Sequence, residues 1–327
     1  MTDEVILQVK DLRTYFYTDA GVVKAVDGLT FDLHKGETLG LVGESGSGKS
    51  VTNLSIINLI QTPPGKIEGG EVLFYGEDLL KMSDARLREI RGDRIAMIFQ
   101  DPMSSLNPYL RISTQMIETI CLHQGLNKKA AKEKAIEMLK LTGIPAAEKR
   151  IDGYPHQFSG GMRQRAVIAM AMACNPRVLI ADEPTTALDV TIQAQIFELM
   201  EELKTKYKTA IMLITHDMGV VTELADDVIV MYMGHIVERG TVEEVLRTPQ
   251  HPYTKGLLRS IPILGKGHNQ KLIPIRGSTP NPHNRPKGCQ FSPRCDFCTE
   301  KCSQMPPEYS IGGTHTVRCW YAEHKEN

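Results

Sequence analysis

The segment GESGSGKS, Gly43 to Ser50, constrains this chain more than any other stretch of the sequence. It matches the pattern GxxxxGK[ST] and follows the apolar run Thr38 to Val42, which is typical of a buried strand. Val51, Leu54 and Ile57 then recur at three-residue spacing, which predicts a helix. A strand, a glycine-rich turn and a helix in this order indicate a phosphate-binding loop.

The chemistry of such a loop follows from its residue types. Glycines let backbone amides turn inward around phosphate oxygens, and the helix N-terminus adds partial positive charge. Lys49 supplies a full positive charge, and the Ser50 hydroxyl suits magnesium. A glycine turn that binds no nucleotide is the alternative, which the flanking strand and helix argue against. The residues expected to contact the nucleotide are Gly43, Glu44, Ser45, Gly46, Ser47, Gly48, Lys49, Ser50 and Val51.

A second apolar run, Val178 to Ala181, ends in two carboxylates. We expect Asp182 to orient a magnesium ion through its water shell. We expect Glu183 to accept a proton from, or to orient, the water that attacks a γ-phosphate. A buried strand that ends in a solvated acidic turn is the alternative interpretation.

Short apolar runs alternate with helical stretches as far as about Leu246, which predicts an α/β fold around a largely parallel sheet. Such sheets bind ligands beyond the ends of their strands. The predicted strands are Thr38 to Val42, Ile95 to Phe99, Val178 to Ala181, Ala210 to Ile214 and Val228 to Met233.

The domain organisation follows from where these signals change. Residues 1–248 are predicted to form the α/β domain, with a helical subdomain inserted at about 101–160. There strand signals vanish, and Ala131, Ala135, Met138 and Leu139 fall on one helix face. Residues 249–327 are dense in proline, glycine and cysteine, so we expect a small appendage that needs a staple.

Composition excludes several classes of protein. The chain has 38 basic and 39 acidic residues, so no excess of positive charge favours nucleic acid as the main partner. Its apolar runs are shorter than the roughly 18 residues of a membrane helix. Met1 to Lys10 contains Asp3 and Glu4 and lacks the apolar centre of a secretory signal. We therefore expect a cytoplasmic protein that does not span the bilayer.

Further motifs appear in a fixed order along the chain. They are Gln100 after Ile98 and Phe99, FSGGMRQR at Phe158 to Arg165, ADEPTTALD at Ala181 to Asp189, and LITHD with His216. With the phosphate loop, they resemble the Q-loop, signature, Walker B, D-loop and switch histidine of the ABC transporter ATPases. The resemblance implies the P-loop ABC-type nucleotide-binding fold and an ATPase that binds ATP and Mg²⁺ between two subunits.

The resemblance also implies roles for single residues. Gln100, Glu183 and His216 would serve catalysis, and Gln100 would join Ser50 and Asp182 at magnesium. Other implied contacts are the signature residues Ser159, Gly160 and Gly161 at the γ-phosphate, Asp189 at the subunit interface, and Phe16 of the triplet Tyr15 to Tyr17 against adenine. An ordinary core aromatic is the alternative for Phe16. The family's usual LSGGQ differs here at Phe158 and Met162, which puts in doubt only the contact that a glutamine would make.

HPYTKGLL at His251 to Leu258 and GCQFSPRC at Gly288 to Cys295 resemble the C-terminal extension of peptide importer ATPases. DPMSSLNP at Asp101 to Pro108 and the run Asp182 to Ile196 point to the same peptide/nickel importer group, most like its D-type subunit. HPYTKGLL either docks on the main domain or contacts a partner.

That resemblance implies a peripheral subunit on the cytoplasmic face of the membrane. Its partners would be a second ATPase, a related F-type paralogue, two permeases and an extracytoplasmic peptide-binding protein. Import of nickel or another solute stays open. A non-transport ABC ATPase acting on nucleic acid is disfavoured because no heptad insertion or basic surface is visible. A regulatory nucleotide sensor is disfavoured because Glu183 and His216 are present.

Five of the seven cysteines lie between Cys289 and Cys319. Disulfides are not expected in the cytoplasm, so a metal staple is the favoured interpretation. The importer resemblance implies a four-iron four-sulfur (4Fe-4S) cluster on Cys289, Cys295, Cys302 and Cys319, with Cys298 left over. Zinc is the alternative, with Cys295, Cys298 and His315 as possible ligands. Cys121 and Cys174 are expected to be small core residues in helical territory.

Overall fold

The computed structural model describes residues 4–101, 105–185, 188–260 and 274–322. Residues 102–104 of the DPMSSLNP motif and 186–187 of the ADEPTTALD motif therefore lie outside the described residues. The chain divides into two compact units. The first unit comprises Met1–Leu7, Leu33–Glu37 and Phe74–Ile214, and the second comprises Gln8–Asp32, Thr38–Leu73 and Thr215–Asn327.

The strands and helices of the described residues follow one another along both units. The strands are β1 (Val5–Thr18), β2 (Gly21–His34), β3 (Thr38–Val42), β4 (Gly65–Phe74), β5 (Glu77–Asp78), β6 (Ile95–Ile98), β7 (Val178–Asp182), β8 (Ala210–Thr215), β9 (Asp227–Tyr232), β10 (His235–Thr241), β11 (Tyr309–Gly312) and β12 (His315–Val317). The helices are α1 (Lys49–Ile56), α2 (Asp84–Ile90), α3 (Ile112–Gln124), α4 (Lys128–Leu141), α5 (Ala147–Arg150), α6 (Gly160–Met172), α7 (Val190–Tyr207), α8 (Met218–Leu224), α9 (Val242–Arg247) and α10 (Pro252–Arg259).

The first unit contains three neighbouring parallel strands. β6 pairs with β7, and β7 pairs with β8, with Ile98 opposite Ala181 and Asp182 opposite Ile214. Every residue of β7 and β8 is buried, which is why these strands appear in the sequence as continuous apolar runs. Their carboxyl ends therefore emerge together at one edge, where the polar residues of the motifs follow.

Helices α3 to α6 of the first unit lie between β6 and β7 along the chain. The predicted apolar face of α4 is confirmed, because Ala131, Ala135, Met138 and Leu139 are all buried. The chain leaves α4 through Gly143, whose φ of 72° lies in the left-handed region that glycine tolerates.

The second unit contains a run of strands in the order β11, β12, β10, β9, β3. β3 and β9 are parallel, whereas β9, β10, β12 and β11 pair antiparallel. The C-terminal segment thus adds two strands to the sheet through β12, with Glu238 opposite Val317. The segment also buries Phe291 in the cluster that contains Val230, Tyr232 and Tyr253.

All five predicted strands are confirmed, with boundaries that differ by at most one residue. β6 ends at Ile98 rather than Phe99, which is 40% exposed, and β9 begins at Asp227. Among the described residues, none of the helices combines the length and the apolar character that a bilayer-spanning segment needs.

Candidate functional site

The glycine-rich loop lies between β3 and α1, as predicted. Gly43 has a φ of 155° and Gly48 a φ of 105°. A Cβ atom at Gly43 would collide with the carbonyl oxygen of Met231, and one at Gly48 with that of Ala25. Both positions therefore require glycine for space as well as for backbone conformation.

Lys49 is almost buried, and its ammonium group lies over the loop. Lys49 Nζ donates hydrogen bonds to the carbonyl oxygens of Gly43, at 2.6 Å, and Glu44, at 3.1 Å. The neighbouring Ser50 is exposed at the first turn of α1. A positive charge beside a helix N-terminus and a glycine-rich turn is the arrangement that binds phosphate.

The predicted apolar stripe of α1 is only partly correct. Ile57 is buried, but Val51 and Leu54 are only half-buried, while Thr52 and Ser55 are fully buried. Burial leaves neither hydroxyl without a hydrogen-bond acceptor, because each donates to a carbonyl oxygen one turn earlier. Thr52 donates to Gly48 at 2.9 Å and Ser55 to Val51 at 2.7 Å.

The three aromatic residues of β1, Tyr15 to Tyr17, differ in their hydrogen bonds. The Tyr15 hydroxyl donates to Asp27 Oδ1 at 2.7 Å, and the Tyr17 hydroxyl donates to Glu68 Oε1 at 2.5 Å. Phe16 is half-buried, and its ring edge comes so close to Gly65 that a Cβ there would lie 3.0 Å away. The adenine contact of Phe16 stays a prediction.

In the first unit, the structure brings Gln100 and Glu183 together at the ends of β6 and β7. Gln100 Nε2 donates to Glu183 Oε2 at 2.9 Å. Asp182 is buried at the last position of β7, and Glu183 follows with a left-handed φ of 46°. The Glu183 amide donates to the carbonyl oxygen of Ile214 at 2.9 Å, which fixes this conformation.

The signature segment begins helix α6. Ser159 is its N-cap, with Oγ accepting from the Met162 amide at 3.3 Å, and Gly160 and Gly161 form the first turn. Ser159 and Gly160 are exposed, while a Cβ at Gly161 would lie 3.0 Å from the Ile192 side chain. Phe158 stands where the family pattern has leucine. It is buried, so the position keeps an apolar side chain.

The remaining motif residues lie at the ends of two further elements. Asp189 is the N-cap of α7, where Oδ1 accepts from the Ile192 amide at 3.0 Å. His216 is exposed directly after β8. Lys49, Ser50 and His216 belong to the second unit, whereas Gln100, Ser159, Asp182, Glu183 and Asp189 belong to the first.

The structure also places C-terminal residues on the phosphate loop, which sequence reasoning missed. Arg294 binds the Glu44 carboxylate with two hydrogen bonds, of 2.5 and 3.0 Å, and Thr279 Oγ1 donates to it at 3.1 Å. The Tyr253 hydroxyl accepts from the Glu44 amide at 2.8 Å. Although burial raises the pKa of Glu44, the hydrogen bonds and charge of Arg294 outweigh it, and the pKa lies below its usual range.

A buried carboxylate organises the start of the C-terminal segment. Glu238 on β10 accepts hydrogen bonds from the amides of Gln250, at 2.6 Å, and His251, at 2.9 Å, and lies 2.8 Å from His315 Nε2. His251 Nδ1 accepts from the Tyr253 amide at 3.0 Å. Burial lowers the pKa of His251 to about 4, so this ring is neutral at pH 7. The segment HPYTKGLL thus packs within the second unit, which agrees with the interpretation that it docks on the main domain.

The C-terminal cysteines influence one another electrostatically. Burial, together with the neighbouring thiols of Cys302, Cys319 and Cys295, raises the pKa of Cys289 to about 12. Burial, together with Cys319, Cys302 and Cys298, raises the pKa of Cys295 to about 11. Cys298 is the exposed member of the group.

No group of three or more His, Cys, Asp or Glu side chains in the described part of the chain is arranged to hold a metal ion. His315, a possible zinc ligand, directs Nε2 at Glu238. Cys174 is buried, as predicted for a small core residue, but follows the end of α6, and Cys121 in α3 is half-buried.

Comparison with known proteins agrees with these features. Residues 26–186 match the ABC transporter family, and residues 237–302 match the C-terminal region of the oligopeptide/dipeptide transporters. The oligopeptide transport ATP-binding protein OppD of Bacillus subtilis is 52% identical over 96% of this chain and 88% of its own length. The dipeptide transport ATP-binding protein DppD of Bacillus subtilis is 50% identical over 98% of this chain and 96% of its own length.

Two solved structures share the fold. The dimeric bacterial ABC transporter cassette MJ0796 superposes with a TM-score of 0.65 at 26% identity, covering 72% of this chain and 98% of that one. The cbiO1 protein of Clostridium perfringens, part of the complex cbiONQ, gives a TM-score of 0.63 at 28% identity, covering 75% and 92%. The shared fold and the relatives that align over nearly the whole chain show the family. The chain belongs to the ABC transporter family, as an ATPase of the oligopeptide/dipeptide transport type.

Proposed function

We propose that this ATPase energises the import of di- or oligopeptides from the cytoplasmic face of the cell membrane. The observation that carries the proposal is that two separate parts of the chain each match a family model. The family match at 26–186 covers the ATPase, while the match at 237–302 covers the region specific to oligopeptide/dipeptide transporters. The curated relatives cited above are ATP-binding proteins of oligopeptide or dipeptide transport.

ATP binds at the loop Gly43 to Ser50 in this proposal. Backbone amides and Lys49 hold the phosphates, and Phe16 stacks on adenine. Ser50, Gln100 and Asp182 offer the oxygen donors that Mg²⁺ prefers. Gln100 uses Nε2 toward Glu183, which leaves its Oε1 as the atom suited to the ion. Magnesium, when bound, neutralises charge on the phosphates.

Hydrolysis uses Glu183 as the group that accepts a proton from the attacking water, or orients that water. The hydrogen bond from Gln100 supports this role, because it orients the carboxylate. His216 steadies the γ-phosphate and the water. Its exposed position after β8 leaves it accessible to a nucleotide.

Each ATP is shared between this chain and a second ATPase, a related F-type paralogue. Ser159, Gly160 and Gly161 of this chain face the γ-phosphate held by that second ATPase. The support is that they lie exposed or half-exposed at the N-terminus of the 13-residue helix α6. Asp189 transmits the state of the nucleotide across the interface. ATP binding then closes the pair, and hydrolysis releases it.

The cysteine-rich segment holds a 4Fe-4S cluster on Cys289, Cys295, Cys302 and Cys319, in this proposal. The Cys289 amide donates to the carbonyl oxygen of Cys302 at 2.9 Å, which brings two of these residues together, and Cys302 and Cys319 are buried whereas the extra Cys298 is exposed. A single zinc ion is the alternative. A cluster bound by these thiols would stabilise a segment with little core of its own.

The other partners are two permeases and an extracytoplasmic peptide-binding protein, with no role for nucleic acid. Affinity purification of the tagged chain from native membranes, followed by peptide uptake in cells that lack it, tests the function. We expect both permeases and the paralogue to co-purify, and uptake of labelled di- or oligopeptides to be lost without the chain. Loss of nickel uptake with peptide uptake intact would favour a nickel importer instead. Recovery of ribosomes or DNA would overturn the transport function.

A further inference from the structure

Glu44 is the point at which the C-terminal segment meets the phosphate loop. It occupies the second position of the loop, and both its backbone and its side chain have partners more than 200 positions further along the chain. Arg294 is nearly buried, whereas the Glu44 side chain is about one-third exposed. A buried arginine therefore approaches the carboxylate from the protein side.

Arg294 is itself held in place by several groups. Its Nε donates to the carbonyl oxygen of Arg276 at 3.0 Å, and its guanidinium lies within 6 Å of the rings of Tyr232 and Phe291. It ends the short 3-10 helix Ser292–Arg294, directly before Cys295. The guanidinium therefore cannot move with the Glu44 side chain unless these contacts of the C-terminal segment break.

The charge of Glu44 matters because Lys49 lies close to it. Lys49 Nζ is 3.1 Å from the Glu44 carbonyl oxygen, so an unpaired carboxylate on the same residue would attract an ammonium that should bind phosphate. A carboxylate beside a phosphate site also repels the nucleotide. Pairing with Arg294 removes both effects, because a bidentate partner neutralises Glu44 and fixes its direction.

We propose that Arg294 is a positioning residue for ATP binding, which holds the Glu44 carboxylate away from Lys49 and neutralises it. Tyr253 assists by fixing the backbone of Glu44 through its hydroxyl. Since Arg294 adjoins Cys295, nucleotide affinity depends on the folding of the cysteine-rich segment. The inference rests on the proposed ATP site at Gly43 to Ser50.

The test measures the affinity of the purified full-length chain for a fluorescent, non-hydrolysable ATP analogue. We expect Arg294→Gln to weaken binding on the order of tenfold in the otherwise unchanged chain. In a Glu44→Gln background the same change should cost less than about twofold, because no carboxylate remains to be neutralised. Arg276→Gln is the matched control, because this arginine is 78% exposed on the same segment and its side chain pairs with Asp296.

The outcomes separate the possible failures. Equal affinities of the wild-type and R294Q chains would overturn the role of Arg294. An equal loss in both backgrounds would also overturn it, because the effect would then be general damage rather than removal of a charge conflict. Circular dichroism of each variant identifies unfolding, and E44Q/R294Q still tests the proposal if R294Q alone is unstable. A wild-type chain that binds no nucleotide would overturn the ATP site itself, independently of Arg294.

Discussion

Glu183 shows how a single residue is prepared for its task. Its φ of 46° is uncommon for a residue other than glycine and costs on the order of 1 kcal/mol. The bond from its amide to Ile214 sustains that backbone, and Gln100 fixes the carboxylate at 2.9 Å. A strained residue held by two partners at a strand end is typical of a functional site.

We predict that Glu183→Gln retains ATP but lowers the rate of hydrolysis on the order of 10²–10⁴-fold, because an amide cannot accept the proton. Phosphate release by the purified complex, together with nucleotide retention, measures both effects. Glu198→Gln is the control, since Glu198 is an exposed carboxylate on α7 outside the motifs. Undiminished turnover in the Glu183 variant would rule out the proposed role.

At the scale of elements, Glu238 joins three pieces of the second unit. It lies on β10, accepts from the amides that precede α10, and contacts His315 on β12. A fully buried carboxylate is tolerated only because hydrogen bonds replace its water. The position of α10, and of Tyr253 within it, therefore depends on this one acidic side chain.

The buried ring of His251 makes this arrangement sensitive to acid. Its pKa is about 4 in the folded chain and about 6.5 when unfolded, so the folded state binds the proton less readily. Its contribution to the free energy of unfolding is therefore present above pH 6.5 and is lost as the pH falls toward 4. The loss amounts to about 3 kcal/mol at most.

We predict that His251→Asn weakens this pH dependence between pH 6.5 and 4. Asparagine can accept the Tyr253 amide at the N-cap of α10, as Nδ1 of the histidine does, but it does not titrate. Urea unfolding at several pH values compares the slopes of variant and wild-type chains. Parallel slopes would show that His251 binds its proton equally well in both states, contrary to the prediction.

At the scale of the whole chain, the C-terminal segment is part of the second unit rather than an attachment to it. Its strands extend the sheet through β12, Phe291 enters the core, and Arg294 reaches the phosphate loop. A segment with few apolar residues of its own must be kept folded by something else, and a cluster on its cysteines would serve.

We predict that the chain purified without oxygen is brown, absorbs broadly at about 400 nm and contains iron and sulfide in equal amounts. Cys302→Ser should lose the iron, because this buried thiol is a proposed ligand. Cys298→Ser should retain it, because Cys298 is the exposed, extra cysteine. A colourless protein with one zinc per chain would exclude the iron cluster.

The amino-acid sequence by itself determined five of the strands, the glycine-rich loop and the order of the ATPase motifs. Their signals are local, because apolar runs, glycine conformations and helix caps depend on neighbours along the chain. It predicted the burial pattern of α1 less well, since buried hydroxyls that bond to their own helix leave no apolar signal.

Only the tertiary structure decided which residues support the loop. Glu44 and Arg294 are separated by 250 positions, and nothing in the sequence around either residue predicts that the two form a pair. The same holds for Glu238 and His315, which are 77 positions apart. Such pairs form because packing of β9, β10 and β12 brings distant segments together, and no local pattern encodes that proximity.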